Sequence, residues 1–132
     1  MRGIRLLSCG GKDNYDISMI YGTLDFIHNM IGVSVLIHKG DTGADSVADR
    51  WARDRGIDRI WFTNNLDIIK NWKPDIWVYF PRKNGLYGQE TRDTIKELKK
   101  DQITGFEMHD FDYINGSWQF GIINCLGKIR KL

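Results

Sequence analysis

Two apolar runs that each stop at glycine, each followed by a helical face, constrain this chain more than any other feature of its sequence. Ile4 to Cys9 is short, β-compatible and ends at Gly10-Gly11. Ile17, Ile20, Tyr21, Leu24, Ile27 and Ile31 then recur at three- and four-residue steps, one face of a helix with Asp16 as N-cap and Gly32 as stop. Val33 to His38 reads as a second, buried strand, and it runs into Lys39-Gly40-Asp41-Thr42-Gly43. The next helix carries Ala44, Val47, Ala48, Trp51 and Ala52 on one face. Asp45, Asp49, Arg50 and Arg53 lie on the other, and Gly56 ends it. A strand–glycine–helix unit used twice in succession demands a crossover between parallel strands.

The remainder extends the pattern. Arg59 to Phe62 is a third short strand, and Asn64 to Lys73 a brief connection punctuated by Lys73-Pro74-Asp75. Asp75 to Pro81 is a fourth strand, dense in aromatic and β-branched residues. A loop from Arg82 to Gly88 leads to a helix over Gln89 to Lys100, with acids early and lysines late as its dipole favours. Ile103 to Met108 is a fifth strand, weakened by Gly105. Beyond Asp110, the aromatic residues Phe111, Tyr113, Trp118 and Phe120 flank Asn115-Gly116, a two-residue hairpin signal. The expected fold is α/β: a parallel sheet of about five strands with helices on both faces, plus a C-terminal aromatic β-hairpin. Residues 1–109 would form the binding domain, and 110–132 a hairpin and basic tail of the same domain.

Composition narrows the class. With 42% apolar and 27% charged residues among 132, the chain is neither disordered nor fibrous. A net charge of +2, from 19 basic and 17 acidic residues, does not point to nucleic acid as a partner. Cys9 and Cys125 are too few for a disulfide framework and suit a reducing compartment. No apolar run approaches the roughly 20 residues that cross a bilayer. A cytoplasmic protein without membrane contact is expected. No His or Cys pair has metal-ligand spacing, so neither metal nor cofactor is expected.

In such a sheet the ligand crevice lies beyond the carboxyl ends of the strands. Those ends are Gly10-Gly11-Lys12, Lys39-Gly40-Asp41-Thr42-Gly43-Ala44-Asp45, and Pro81-Arg82-Lys83-Asn84-Gly85 with Gly88 and Thr91 beyond. Glycine lets backbone N–H groups approach a ligand, helix N-termini add donors, and lysine and arginine add charge. Each turn taken singly has a structural reading, because glycine ends strands in every α/β protein. Their convergence points to an anion such as a phosphate or a phosphorylated ribose. Tyr15, Trp72, Tyr79 and Tyr87 could stack on a base, with Tyr87, inside the third loop, the best placed. Asp45 either caps its helix or contacts a ribose or base. His38 reads as a satisfied structural histidine. Ser8 and Cys9 have no evident base, so nucleophilic catalysis finds no support.

Gly10-Gly11-Lys12-Asp13-x-Tyr15 resembles the glycine-rich start of YspA-like proteins of the SLOG superfamily, Rossmann-like domains related to LOG phosphoribohydrolases and DprA. Ile37 through Gly56 is similar to that family's strand, its GGxxGAD loop and the helix that follows, and Lys73 through Pro81 to the strand before its third glycine loop. The resemblance spans about Arg5 to Met108. It implies a site for a nucleotide-derived small molecule. Gly10, Gly11, Lys12 and Tyr15 would line one side; Lys39, Gly40, Thr42, Gly43 and Asp45 would hold phosphate or ribose. Arg82, Gly85, Tyr87, Gly88 and Thr91 would cover the rest. LOG-type enzymes carry a catalytic glutamate in a PGGxGTxxE loop. Here Pro81 to Thr91 spreads its glycines and places no glutamate after Thr91. The resemblance therefore implies a binder of an ADP-ribose-like molecule or a cyclic nucleotide signal, acting as sensor or as a phage-encoded sponge against host defence, and self-associating. The alternative is a nucleoside 5′-monophosphate phosphoribohydrolase using Asp45 or Glu90.

Overall fold

The structure, a computed structural model, describes residues 3–62, 71–83 and 89–129, with side chains in the last segment from 92 onward. Its elements in chain order are β1 (Ile4–Gly10), α1 (Ile17–Ile31), β2 (Val33–His38), α2 (Ala44–Asp54) and β3 (Asp58–Trp61). After these come β4 (Ile76–Phe80), α3 (Gln89–Lys100), β5 (Gly105–Glu107), α4 (Asp110–Asn115) and α5 (Trp118–Ile129). Among the described residues the strands form one sheet in the order β3-β2-β1-β4-β5, every pair parallel. The α/β, Rossmann-like architecture expected from the sequence is present, and helices cover both faces.

Strand alternation divides the core. Leu6, Leu36, Ile76, Val78 and Phe80 face one side, where Ile20, Leu24 and Ile27 of α1 and Val47, Ala48 and Trp51 of α2 cover them. Leu7, Cys9, Ile37, Trp77 and Tyr79 face the other, against Ile95 and Leu98 of α3. Trp51 is completely buried, and its Nε1 donates to Asp25 Oδ1 at 2.8 Å. Asp25 also takes a two-pronged contact from Arg55, tying α1 to the end of α2. β1 pairs with both β2 and β4, so the chain reverses its direction of strand addition there. The ends of β1 and β4 thus border the topological switch point, where such sheets open a crevice.

The C-terminal hairpin is corrected: residues 110–115 and 118–129 are helical. Asn-Gly supplies a left-handed turn, and a helix end can use that turn as well as a hairpin can. Gly116 has φ 80° and ψ 0° as the C-cap of α4, and Asn115 Oδ1 accepts from Ser117 N at 2.8 Å to open the next helix. What decides is burial. Trp118, Ile122, Cys125 and Leu126 fall at helical spacing and pack into the α1 side of the core, where Trp118 meets the Phe26 ring edge-on at 5.2 Å. Phe111, Ile114 and Phe120 stand out in solvent.

Gly105 has a packing reason. It pairs with Trp77, and a Cβ there would overlap the Trp77 indole. That ring lies across the strand and donates from Nε1 to Ile103 O at 2.9 Å. Among the described residues no helix is long and apolar enough to cross a membrane.

Candidate functional site

The exits of β1, β2 and β4 meet at the carboxyl edge of the sheet. Gly11 N donates to Phe80 O at 2.8 Å, extending the β1–β4 ladder by one bond. A Cβ on Gly10 would lie 2.8 Å from the Ala44 Cβ, and one on Gly11 2.8 Å from Arg82 N. Gly11 O accepts from Ala44 N and from Asn14 N, both at 3.1 Å, so the β1 exit satisfies one of the open donors that begin α2. Gly43 has φ 72°, and a Cβ there would be driven into Gly11 O and the Lys12 carbonyl. Side chains complete the stitching. Thr42 Oγ1 donates to Lys12 O at 3.1 Å, Asn14 Nδ2 to Pro81 O at 2.7 Å, and Asp13 Oδ1 accepts from Lys83 N at 3.2 Å.

Beneath the β2–α2 loop lies a buried polar group. Asp45 is 1% exposed; its Oδ2 accepts from Lys39 N at 3.0 Å and from Asp41 N at 3.3 Å, and these bonds hold the turn. Its Oδ1 has no hydrogen-bond partner among the described residues. Burial pushes the carboxyl up to about 7, against the pull of those two backbone donors. Lys39 is 7% exposed and turns inward, its Nζ 3.5 Å from Thr94 Oγ1 on α3. Cys9 sits in the same layer, its thiol pushed up by burial first and by the Asp45 charge second.

His38 closes β2 with both ring nitrogens engaged. Nδ1 accepts from Gly40 N at 2.9 Å, which assigns the ring proton to Nε2, 2.9 Å from Asp49 Oδ1. Burial holds the imidazole below its ordinary pKa, although Asp49 opposes the shift. Asp49 also pairs with Arg59 at 2.9 Å and Arg53 at 3.6 Å.

The structure thus brings together Gly10, Gly11, Lys12, Lys39, Gly40, Thr42, Gly43, Asp45 and Arg82. Lys12, Gly40 and Thr42 are exposed; Lys39 and Asp45 lie below the surface. Tyr15 stands exposed just before α1. Gly85, Tyr87 and Gly88 lie outside the described residues, as do the side chains of Glu90 and Thr91 in the first turn of α3. Trp72 packs beside Phe62, and Tyr79 belongs to the α3 side of the core. Two contributors were missed in the sequence. Asn14 was legible as an Asx residue in a turn, the kind that bonds nearby backbone. Trp61, exposed at the end of β3, gave no local signal beyond strand propensity.

Residues 4–67, the stretch that carries the β1 and β2 exits, match the YspA, cpYpsA-related SLOG family. None of the curated proteins matches the chain.

Proposed function

We propose that the protein binds a nucleotide-derived small molecule, ADP-ribose-like or a cyclic nucleotide, at the carboxyl edge of the sheet, and holds it without turnover as a sensor or sequestering protein. The observation that carries this reading is the locking of three strand exits around Gly11. Lys12 and Arg82 flank that point, and α2 begins beside it. A helix N-terminus and two cations at one corner favour a phosphate. The SLOG match over residues 4–67 supports a nucleotide-related ligand. Titration calorimetry of the full chain with ADP-ribose, cyclic ADP-ribose isomers and cyclic dinucleotides tests it. One member should bind at micromolar concentration or below, and Lys12→Ala with Arg82→Ala should weaken that binding without lowering Tm. Silence across the panel would refute the reading.

One observation favours the hydrolase as a second reading: a carboxyl poised near neutrality suits a general acid. The burial of Asp45 and the commitment of its Oδ2 to the loop amides weigh against direct contact with a substrate. Release of free base from nucleoside monophosphates, lost in Asp45→Asn, would establish it.

A further inference from the structure

We propose that the hollow between α2 and the end of β3 holds the base of this ligand, and that the base bears an exocyclic amine. The inference rests on the phosphate-cradle reading for the other half of the ligand. The hollow measures about 300 Å³, at the small end of pockets that take organic molecules. Its wall includes Trp61, His38, Gly40, Asp41 and Arg53.

Trp61 is the unusual member. It is 56% exposed, yet its ring is held firmly. The indole stacks on His38 with centroids 5.7 Å apart and planes at 21°, and His38 is fixed through both nitrogens. A Cβ on Gly40 would come within 3.3 Å of Trp61 Cδ1, so the glycine lets the loop lie flat against the indole edge. One ring face is therefore backed by protein and the other left to solvent. A large aromatic surface kept rigid and wet is what a stacking platform requires.

The polar groups choose among flat ligands. Asp41 spends its backbone N–H on Asp45, and its carboxylate has no hydrogen-bond partner among the described residues. Asp49 is already committed to His38, Arg53 and Arg59. The acceptor left over is an anion, which repels a second phosphate and accepts from an amine. Gly40 and Gly43 bracket the loop, so hollow and cradle are separated by at most roughly 11 Å of extended chain. One nucleoside bridges such a gap.

Titration of the full chain with adenosine 5′-monophosphate, inosine 5′-monophosphate and ribose 5-phosphate tests the proposal. Adenosine monophosphate should bind at least about fivefold more tightly than ribose 5-phosphate, the lower bound for one stacked base. It should quench tryptophan fluorescence. Trp61→Ala should bring it to the ribose 5-phosphate level, abolish the quench and leave ribose 5-phosphate binding unchanged. Asp41→Asn should erase the preference over the inosine nucleotide, which lacks the amine. Equal affinities of the intact protein for adenosine monophosphate and ribose 5-phosphate would overturn the base site while leaving the cradle standing. Failure of all three to bind at millimolar concentration would overturn both.

Discussion

Replacing Asp45 by Asn should remove a pH dependence that runs opposite to that of an ordinary paired carboxylate. The buried carboxyl is pushed from 3.8 up to about 7, desolvation outweighing the two amides that favour its charge. Between those values the folded chain holds a proton that the unfolded chain has released, so folding takes up a proton and stability falls as pH rises. The contribution is complete below about pH 4 and gone above about pH 7. A displacement of about three units corresponds to at most about 4 kcal/mol, of which about 3 kcal/mol falls between pH 5 and pH 8. His38 runs the other way. Its lowered pKa costs stability as pH falls below about 6.5, and because both proteins carry it, the difference between them cancels it. An Asn oxygen can still accept from Lys39 N and Asp41 N. Its amide nitrogen would occupy the site where Oδ1 finds no partner, a pH-independent loss of about 1–3 kcal/mol. Urea denaturation of both proteins at half-unit steps from pH 5 to pH 8 reads the result. The variant should start less stable, and its deficit should shrink or reverse as pH rises. A deficit that stays constant, or grows with pH, would mean that Asp45 is charged and satisfied in the fold, and the reasoning fails.

Glycine substitutions separate packing from flexibility. Gly43→Ala should cost about 3 kcal/mol or more, because φ 72° is strained for alanine and the methyl meets the Gly11 and Lys12 backbone. Gly22→Ala, exposed within α1 with nothing near its missing Cβ, should stabilise by roughly 0.5–1 kcal/mol; urea midpoints check both, and equal effects would refute the contrast. Cys9 and Cys125 are both buried, and the Cys9 thiol is pushed above its ordinary range. Ellman's reagent at pH 8 should therefore modify neither until urea unfolds the chain, whereas rapid labelling of the native protein would show the core around one of the two thiols to be open.

The fold was legible where a local pattern and a global need coincide. β1, β2 and α2 follow apolar runs that end in glycine, and nothing else in the chain competes for those residues. The sheet order β3-β2-β1-β4-β5 has no such local signature, since it depends on which strand edges find each other. The segment after Asp110 was misread for a related reason. Asn115-Gly116 states only that the backbone turns left-handed there. The helical spacing of Trp118, Ile122, Cys125 and Leu126 carried the correct answer, because it lets α5 cover the sheet beside Phe26. Gly105, which weakened the fifth strand as a sequence, is the residue that lets Trp77 lie across it.

At the site, glycine is required both by an anion cradle and by close loop packing, so residue type could not separate the two. The structure does so position by position. Gly10, Gly11 and Gly43 are each filled by neighbouring backbone or by Ala44, so their absent side chains bring loops together rather than admit a ligand. Lys39, which the sequence offered as a crevice charge, is drawn down to Thr94. Asp45, offered as a cap or a ribose contact, holds two loop amides from below. The charge available to an anion then shifts outward to Lys12, Arg82 and Lys83, none of which is buried. Gly40 is the different case: it is exposed, and its neighbour is an indole rather than backbone. A ligand that uses this edge would therefore meet cations on the Gly11 side and an aromatic face on the Gly40 side, and a nucleotide has those two ends.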